Sequence, residues 1–334
     1  MSCSPVSDSH DTVVRMTRWL LTGGAGYIGA HVARDLLASG REVTILDDLS
    51  TGLRARSPDG ADFVEASVLD TDAVRHALDG VTGVIHLAAK KAVGESVEQP
   101  LLYYRENVGG MVSLLQAMAD AATPCMVYSS SAAVYGEPPW SPISEDSPLA
   151  PLSPYGETKV IGEWMVTDEA VARADSTPLS WVTLRYFNVA GAGSPELGDT
   201  SANNLIPMVF DALDRGEAPQ VFGTDYPTHD GSCVRDYIHV SDLAAAHVAA
   251  AALCESGGVA AVFNVGTGVG SSVLEVMGAV SDVVGRDVGA VAVDRRAGDP
   301  PELVASVDRI SAELGWSAQR DLRDMVESAY AARR

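Results

Sequence analysis

The chain has 334 residues, 46% hydrophobic and 20% charged, with a formal net charge of −22; it can bury a large core and carries no compositional sign of extended disorder. That acidity argues against general nucleic-acid binding, because phosphate contacts demand a basic surface, so any anionic ligand must be held by a few local basic groups and backbone amides. No apolar run reaches membrane-spanning length, the widely spaced Cys3, Cys125, Cys233 and Cys254 fit a reduced, cytoplasmic protein, and the seven histidines show no ligand spacing, so no metal is expected.

Residues 1–15 are polar and read as a flexible tail with no secretory signal, and Met16 is a second candidate start. A short apolar strand at 19–21 runs into Thr22-Gly23-Gly24-Ala25-Gly26-Tyr27-Ile28-Gly29, after which residues 31–38 read as a helix ended by Gly40. Strand, glycine-rich turn and helix in this order suit a dinucleotide: Gly23, Gly26 and Gly29 allow a tight turn, close approach to a pyrophosphate and close helix packing. The next strand, 42–46, ends in Asp47-Asp48, at the distance where an acid meets the adenosine ribose. Asp47 there accepts from ribose hydroxyls and repels a 2′-phosphate, which favours NAD over NADP.

Further strands at 62–65, 83–87 and 124–129, separated by helices at 71–78 and 97–122, predict a Rossmann-type doubly wound parallel sheet covered on both faces. Ligands sit beyond the carboxyl ends of such strands. Ala88-Ala89-Lys90-Lys91 and Ser129-Ser130-Ser131, each following a strand, therefore fall at the cleft. Next comes Ser153-Pro154-Tyr155-Gly156-Glu157-Thr158-Lys159, a helix start with Ser153 as cap and Pro154 at its first position. Tyr155 and Lys159 lie one turn apart on one face, and an ammonium beside a phenol favours the phenolate, which would bring Tyr155 from about 10 toward neutrality. After a strand at 181–187, Pro, Gly and Asn become frequent through residue 232. The expected organisation is a dinucleotide-binding domain over 16–187 and a smaller α/β substrate-binding lobe over 188–334, with some later segments returning to the first lobe.

In this order the glycine turn, the serine run and the Tyr155/Lys159 pair resemble the extended short-chain dehydrogenase/reductase family. Lys91-Ala92-Val93-Gly94-Glu95-Ser96, Ser129 through Gly136, Leu184-Arg185-Tyr186-Phe187-Asn188, Asn203-Asn204-Leu205-Ile206-Pro207, Phe222 through Pro227 and Val234 through Val240 are similar to its UDP-glucose 4-epimerase branch. That resemblance implies Tyr155 as the base that takes the 4″-hydroxyl proton, Ser131 bonded to the same oxygen, and Lys159 bridging the nicotinamide ribose. It implies an NAD site lined by Tyr27, Ile28, Asp47, Asp48, Leu49, Ser67, Val68, Leu87, Ala88, Ala89, Lys91, Glu106, Ser129 and Phe187. Substrate anchors implied in the same way are Asn188, Asn204 and Leu205 on the sugar or diphosphate, Gln220, Val221 and Phe222 on the uridine, Arg235 and Arg296 on the phosphates and Asp299 on its ribose, with Lys91 also reaching the substrate.

Ser67 and Glu106 depart from the branch, which usually has Asp and often Asn there, so weaker NAD retention is expected. Leu303, of intermediate bulk, predicts UDP-glucose and UDP-galactose as the main pair, with lesser activity on N-acetyl forms. Ala132-Ala133 stand where nucleotide-sugar dehydratases carry an Asp-Glu pair, which argues against elimination. A 4-epimerase of another UDP sugar, UDP-GlcNAc/GalNAc or a UDP-uronic acid, is the enzymatic alternative; a catalytically silent NAD-binding regulatory or scaffold protein is the alternative of another class. The resemblance further implies a homodimer packed through the helices at 97–122 and 155–172.

Overall fold

The computed structural model describes residues 16–201, 204–296 and 299–333; the predicted tail at 1–15, with Cys3, and the Asn203 of the asparagine pair lie outside them. The first strands are β1 (Arg18–Thr22), β2 (Glu42–Asp47), β3 (Asp62–Glu65) and β4 (Gly83–His86), with α1 (Tyr27–Ala38) and α2 (Thr71–Ala77) between them. Then come α3 (Val93–Glu98), α4 (Pro100–Tyr103), α5 (Gly110–Asp120), β5 (Cys125–Ser131), α6 (Pro154–Ala172), β6 (Ser180–Tyr186) and β7 (Asn188–Ala190). The remainder comprises α7 (Leu205–Asp214), β8 (Gln220–Phe222), β9 (Val234–His239), α8 (Val240–Glu255), β10 (Ala260–Val265), β11 (Gly270–Ser272) and α9 (Val273–Val284). The last elements are β12 (Val291–Val293), β13 (Glu302–Leu303), α10 (Asp308–Leu314) and α11 (Leu322–Ala331).

Seven parallel strands form the main sheet in the order β10-β6-β5-β4-β1-β2-β3. Strand order reverses between β1 and β4, so the crevice for a ligand opens beyond Thr22 and His86. Both faces are dry. Trp19, Leu21, Ile45, Ile85 and Val127 pack on one side against residues of α1 and α8; Leu20, Leu46, Val84, Met126 and Tyr128 pack on the other against residues of α2, α5 and α6. A smaller sheet, β11-β9-β13 with β7 paired to β9, and the β8/β12 pair form the second part of the fold, with its own core built on Ile206, Phe210, Tyr237, Val276 and Met325.

Three expectations need correction. The helix predicted at 97–122 is broken: α3 ends before Pro100, whose missing N–H and ring do not continue a helix, and Tyr104–Gly109 widens into a π-helical turn before α5. The serine run does not follow its strand but ends it, with Ser129 and Ser130 fully buried in β5. α1 starts at Tyr27, inside the glycine segment, rather than at 31.

Candidate active site

The glycine segment is shaped for close approach. Gly23 has φ +74°, a left-handed conformation, and a Cβ on Gly29 would lie 2.3 Å from the Gly23 carbonyl oxygen. Gly26 caps α1 without a side chain, so the first-turn N–H groups face outward at the positive end of the helix dipole, an arrangement that suits a pyrophosphate. Asp47 is 7% exposed and accepts from Ala25 N and Leu49 N, both at 2.9 Å. Burial lifts its pKa, and these N–H groups pull it back. The acid therefore ties the glycine loop to the end of β2 and has lone pairs left for a ribose. Asp48 is exposed and caps the Ser50 amide. Leu49 takes a positive φ of 57°. Ser67 Oγ accepts from Leu69 N at 3.2 Å, Val68 is packed in the core, the Leu87–Ala88 backbone lies against Gly23, and Ala89 is half-buried. These residues fit a dinucleotide.

Tyr27 and Glu106 carry further contacts. The Tyr27 hydroxyl donates to the Gly191 carbonyl at 2.5 Å. Glu106 sits on the π-helical turn, paired with Arg105 at 2.6 Å. Its neighbour Asn107, absent from the sequence reading, is the buried one: it accepts from Lys90 N and donates to Lys90 O and to Thr158 Oγ1. It thereby docks the Lys90-Lys91 turn onto α6, while Lys91 Nζ reaches Ser201 Oγ at 3.3 Å.

Ser153 starts α6 as expected, accepting the Gly156 amide at 3.2 Å with Pro154 in the first turn. The helix then lies very close to β5, because Gly162 has no Cβ, which would stand 2.2 Å from the Tyr128 hydroxyl. That approach buries Tyr155 and Lys159 at 8% and 4% exposure. Lys159 Nζ donates to the Ser129 carbonyl at 2.8 Å and lies 5.9 Å from the centre of the Tyr155 ring. Burial lowers the Lys159 pKa to about 8, with Glu163 opposing the fall. Burial also raises the Tyr155 pKa, and a hydrogen bond with Ser131 pulls it down. In the chain alone burial outweighs the pull of Ser131 on the phenol, and the Lys159 ammonium donates to the Ser129 carbonyl. Ser129 Oγ meets His247 Nε2 at 3.0 Å.

On the substrate side the anticipated residues are brought together in part. Arg235 lies 3.6 Å from Asp299. The Arg296 guanidinium stacks 3.8 Å over the Phe222 ring, and Asn204 Nδ2 donates to Asp199 Oδ2 at 2.6 Å. Asn188 and Gln220 are exposed, and Leu205 and Leu303 are half-buried. Phe187 is buried in a cluster with Val134, Tyr135, Val160 and Ala305, and Leu303 packs against it. Val221 is a correction: its side chain is 2% exposed, within the second core, because alternation along β8 turns Gln220 and Phe222 one way and Val221 the other. Among the described residues no group of three His, Cys, Asp or Glu could hold a metal ion, and no helix is long and apolar enough to cross a membrane.

Residues 19–266 match the NAD dependent epimerase/dehydratase family. Over 330 residues the chain is 44% identical to the UDP-glucose 4-epimerase of Azospirillum brasilense, spanning 96% of this chain and 92% of that protein. It is similar to the solved UDP-glucose 4-epimerase of Brucella ovis in complex with NAD, at 41% identity and a TM-score of 0.88, covering 94% of this chain and 97% of the other. The enzyme of the same name from Stenotrophomonas maltophila, solved with bound NAD and formylated UDP-arabinopyranose, superimposes with a TM-score of 0.90 at 37% identity, covering 95% and 98% of the two chains.

Proposed function

The chain belongs to the NAD dependent epimerase/dehydratase family, and from that premise we propose that it inverts C4 of the hexose in UDP-glucose and UDP-galactose, with NAD as its cofactor. One observation carries the reading: Ser131, Tyr155 and Lys159 gather at the end of β5, at the same carboxyl end of the parallel strands as the glycine cradle that follows β1. No side chain accepts hydride; NAD, when bound, takes the C4″ hydrogen and later returns it.

The protein's own residues handle the proton. Tyr155 removes it from the 4″-hydroxyl, and Ser131 bonds the same oxygen and relays it. Lys159, an ammonium fixed on the Ser129 carbonyl, favours the phenolate through its charge. Inversion requires the 4-ketose to present its opposite face before reduction, so the site grips UDP and leaves the hexose free to turn. Arg235 and Arg296 are assigned to the diphosphate, where guanidinium forks match phosphate oxygens. Asp299 is assigned to the uridine ribose, Asn188, Asn204 and Leu205 to the sugar and diphosphate, and Gln220, Phe222 and the Val221 backbone to the uridine. Leu303 sets the room beside the sugar, which makes the glucose/galactose pair the main substrates and the N-acetyl forms lesser ones. Ala132 and Ala133 leave the site without the acid and base that elimination needs.

Residues 16–187 form the cofactor domain and 188–334 the substrate lobe, with β10 and α8 returning to the first. The protein works in the cytoplasm, in keeping with three free buried cysteines among the described residues. It acts as a homodimer through α3 to α6, where Val97, Leu101, Val112, Trp164 and Val171 are exposed apolar side chains. Incubation with UDP-galactose, followed by chromatography for UDP-glucose without added reductant, tests the reading; absence of interconversion by NAD-loaded protein overturns it.

A further inference from the structure

Glu163 lies one turn beyond Lys159 on α6 and is 6% exposed. Its Oε1 accepts from Ser130 Oγ at 2.6 Å and from Arg185 Nε at 2.9 Å, and its Oε2 accepts from Arg185 at 2.5 Å. Arg185, on β6, is 5% exposed and also donates to the Tyr135 hydroxyl and to the Glu145 carbonyl. Tyr135 in turn donates to Asn264 on β10. A buried ion pair of this kind contributes little net stability relative to well-packed apolar residues. Its placement is more informative. Ser130, clamped by Glu163, sits between Ser129, whose carbonyl holds Lys159, and Ser131, whose side chain draws down the pKa of Tyr155. One carboxylate therefore fixes the short stretch of β5 that sets both catalytic groups.

We infer that Glu163 is a positioning residue for the proton-transfer step: through Ser130 it holds the end of β5 in register with α6, and its charge keeps the buried Lys159 in its ammonium form. The inference rests on the epimerase reading above. Several groups face Lys159 from the surrounding elements. Tyr155 lies on its own helix, the Tyr128 ring on β5 is 5.2 Å away, and His86 on β4 is held neutral by burial and by the lysine itself. His247 on α8 stands behind Ser129 and is likewise held neutral by burial; Tyr186 on β6 and Tyr103 on α4 face Tyr155. Among these described groups Glu163 alone carries a negative charge at neutral pH. Removing it makes the ammonium easier to deprotonate, so the alkaline limb of activity moves down the pH scale.

The test measures kcat and KM from pH 6 to 10 with the NAD-loaded protein and UDP-galactose. For Glu163→Gln we expect the alkaline limb of kcat to fall by about one pH unit, the low end for loss of an adjacent opposite charge, with KM within about twofold. Because Glu163→Gln leaves Arg185 unpaired and could unfold the protein, Glu163→Leu/Arg185→Met is measured beside it; removal of both partners is tolerated far better than removal of one, and because the positive charge of Arg185 goes with the carboxylate, a smaller downward shift is expected. Ser130→Ala, which keeps every charge, should lower kcat severalfold without moving the limb. An unmoved limb in the folded variants overturns the electrostatic role, and wild-type kcat in Ser130→Ala overturns the positioning role. Wild-type protein that fails to convert UDP-galactose overturns the underlying reading instead.

Discussion

His247 is fully buried on α8, and its surroundings fix its tautomer. Nδ1 lies 2.9 Å from the Leu243 carbonyl, which can only accept, so Nδ1 carries the proton and Nε2 accepts from the Ser129 hydroxyl at 3.0 Å. Burial depresses the pKa from 6.5 to about 4. A histidine whose folded value lies below its unfolded value binds its proton first in the unfolded chain, so stability falls as pH drops from about 6.5 toward about 4. A depression of this size amounts to about 3 kcal/mol in full, of which about 2 kcal/mol is lost between pH 7 and 4.5. Burial holds His31 and His239 at about 4 by the same mechanism, whereas Asp47 and Asp236, lifted by burial, run the opposite way. Only a difference between variants isolates His247. Urea unfolding of the wild type and of His247→Gln, followed by tryptophan fluorescence at pH 7 and 4.5, should show the stability gap shrinking by about 2 kcal/mol in acid. A gap that stays constant refutes the assignment of a neutral, desolvated imidazole at this position.

Tyr155→Phe should lower turnover by roughly 10² or more, the usual contribution of a positioned acid-base group, while UDP affinity measured by calorimetry stays near wild type. Gly29→Ala places a Cβ against backbone at 2.3 Å; it should cost about 1–3 kcal/mol from overpacking and yield purified protein with reduced NAD content, read by absorbance after acid release. Ser67 and Glu106 predict that part of the NAD is lost during gel filtration, and a full complement afterwards contradicts this. Leu101, 80% exposed, should tolerate Asp in the monomer but break the proposed dimer, which sedimentation velocity would detect as a halved mass.

The cofactor half of the molecule was legible because its signals are local. Glycines at 23, 26 and 29 between a strand and a helix, an acid ending β2, and Ser153-Pro154 ahead of Tyr155 each act within a few residues. What escaped depends on contacts between distant segments. Glu163 and Arg185, 22 residues apart, show no link in the sequence until β5, β6 and α6 assemble around them. β10 joins the main sheet beside β6 after a long excursion through the second lobe, which no periodicity announces. The break at Pro100 was hidden by apolar residues that continue the helical pattern across it, and the inward turn of the Val221 side chain was hidden because a three-residue strand gives too little alternation to show which face is inward.

The two sides of the cleft differ in how their polar groups are satisfied, and that difference bears on how a C4 inversion can work. Lys159, Ser130, Glu163 and Arg185 are buried and bonded mostly to backbone or to one another, so the groups we assign to proton handling and its support stand in one geometry before substrate arrives, as efficient acid-base catalysis requires. Arg296 is exposed and rests on the Phe222 ring, and Arg235 is paired loosely with Asp299 at 3.6 Å. On the proposed assignment these partners are exchanged for a diphosphate and a ribose at small cost, since exposed and long ion pairs contribute little. On the proposed function, binding energy then concentrates on UDP, and the hexose is left to turn in front of Tyr155. A rigid grip on the sugar itself would favour one face and defeat the reaction; a mobile tyrosine would defeat it equally. The arrangement assigns rigidity to α6 and β5 and exchangeable contacts to the second lobe.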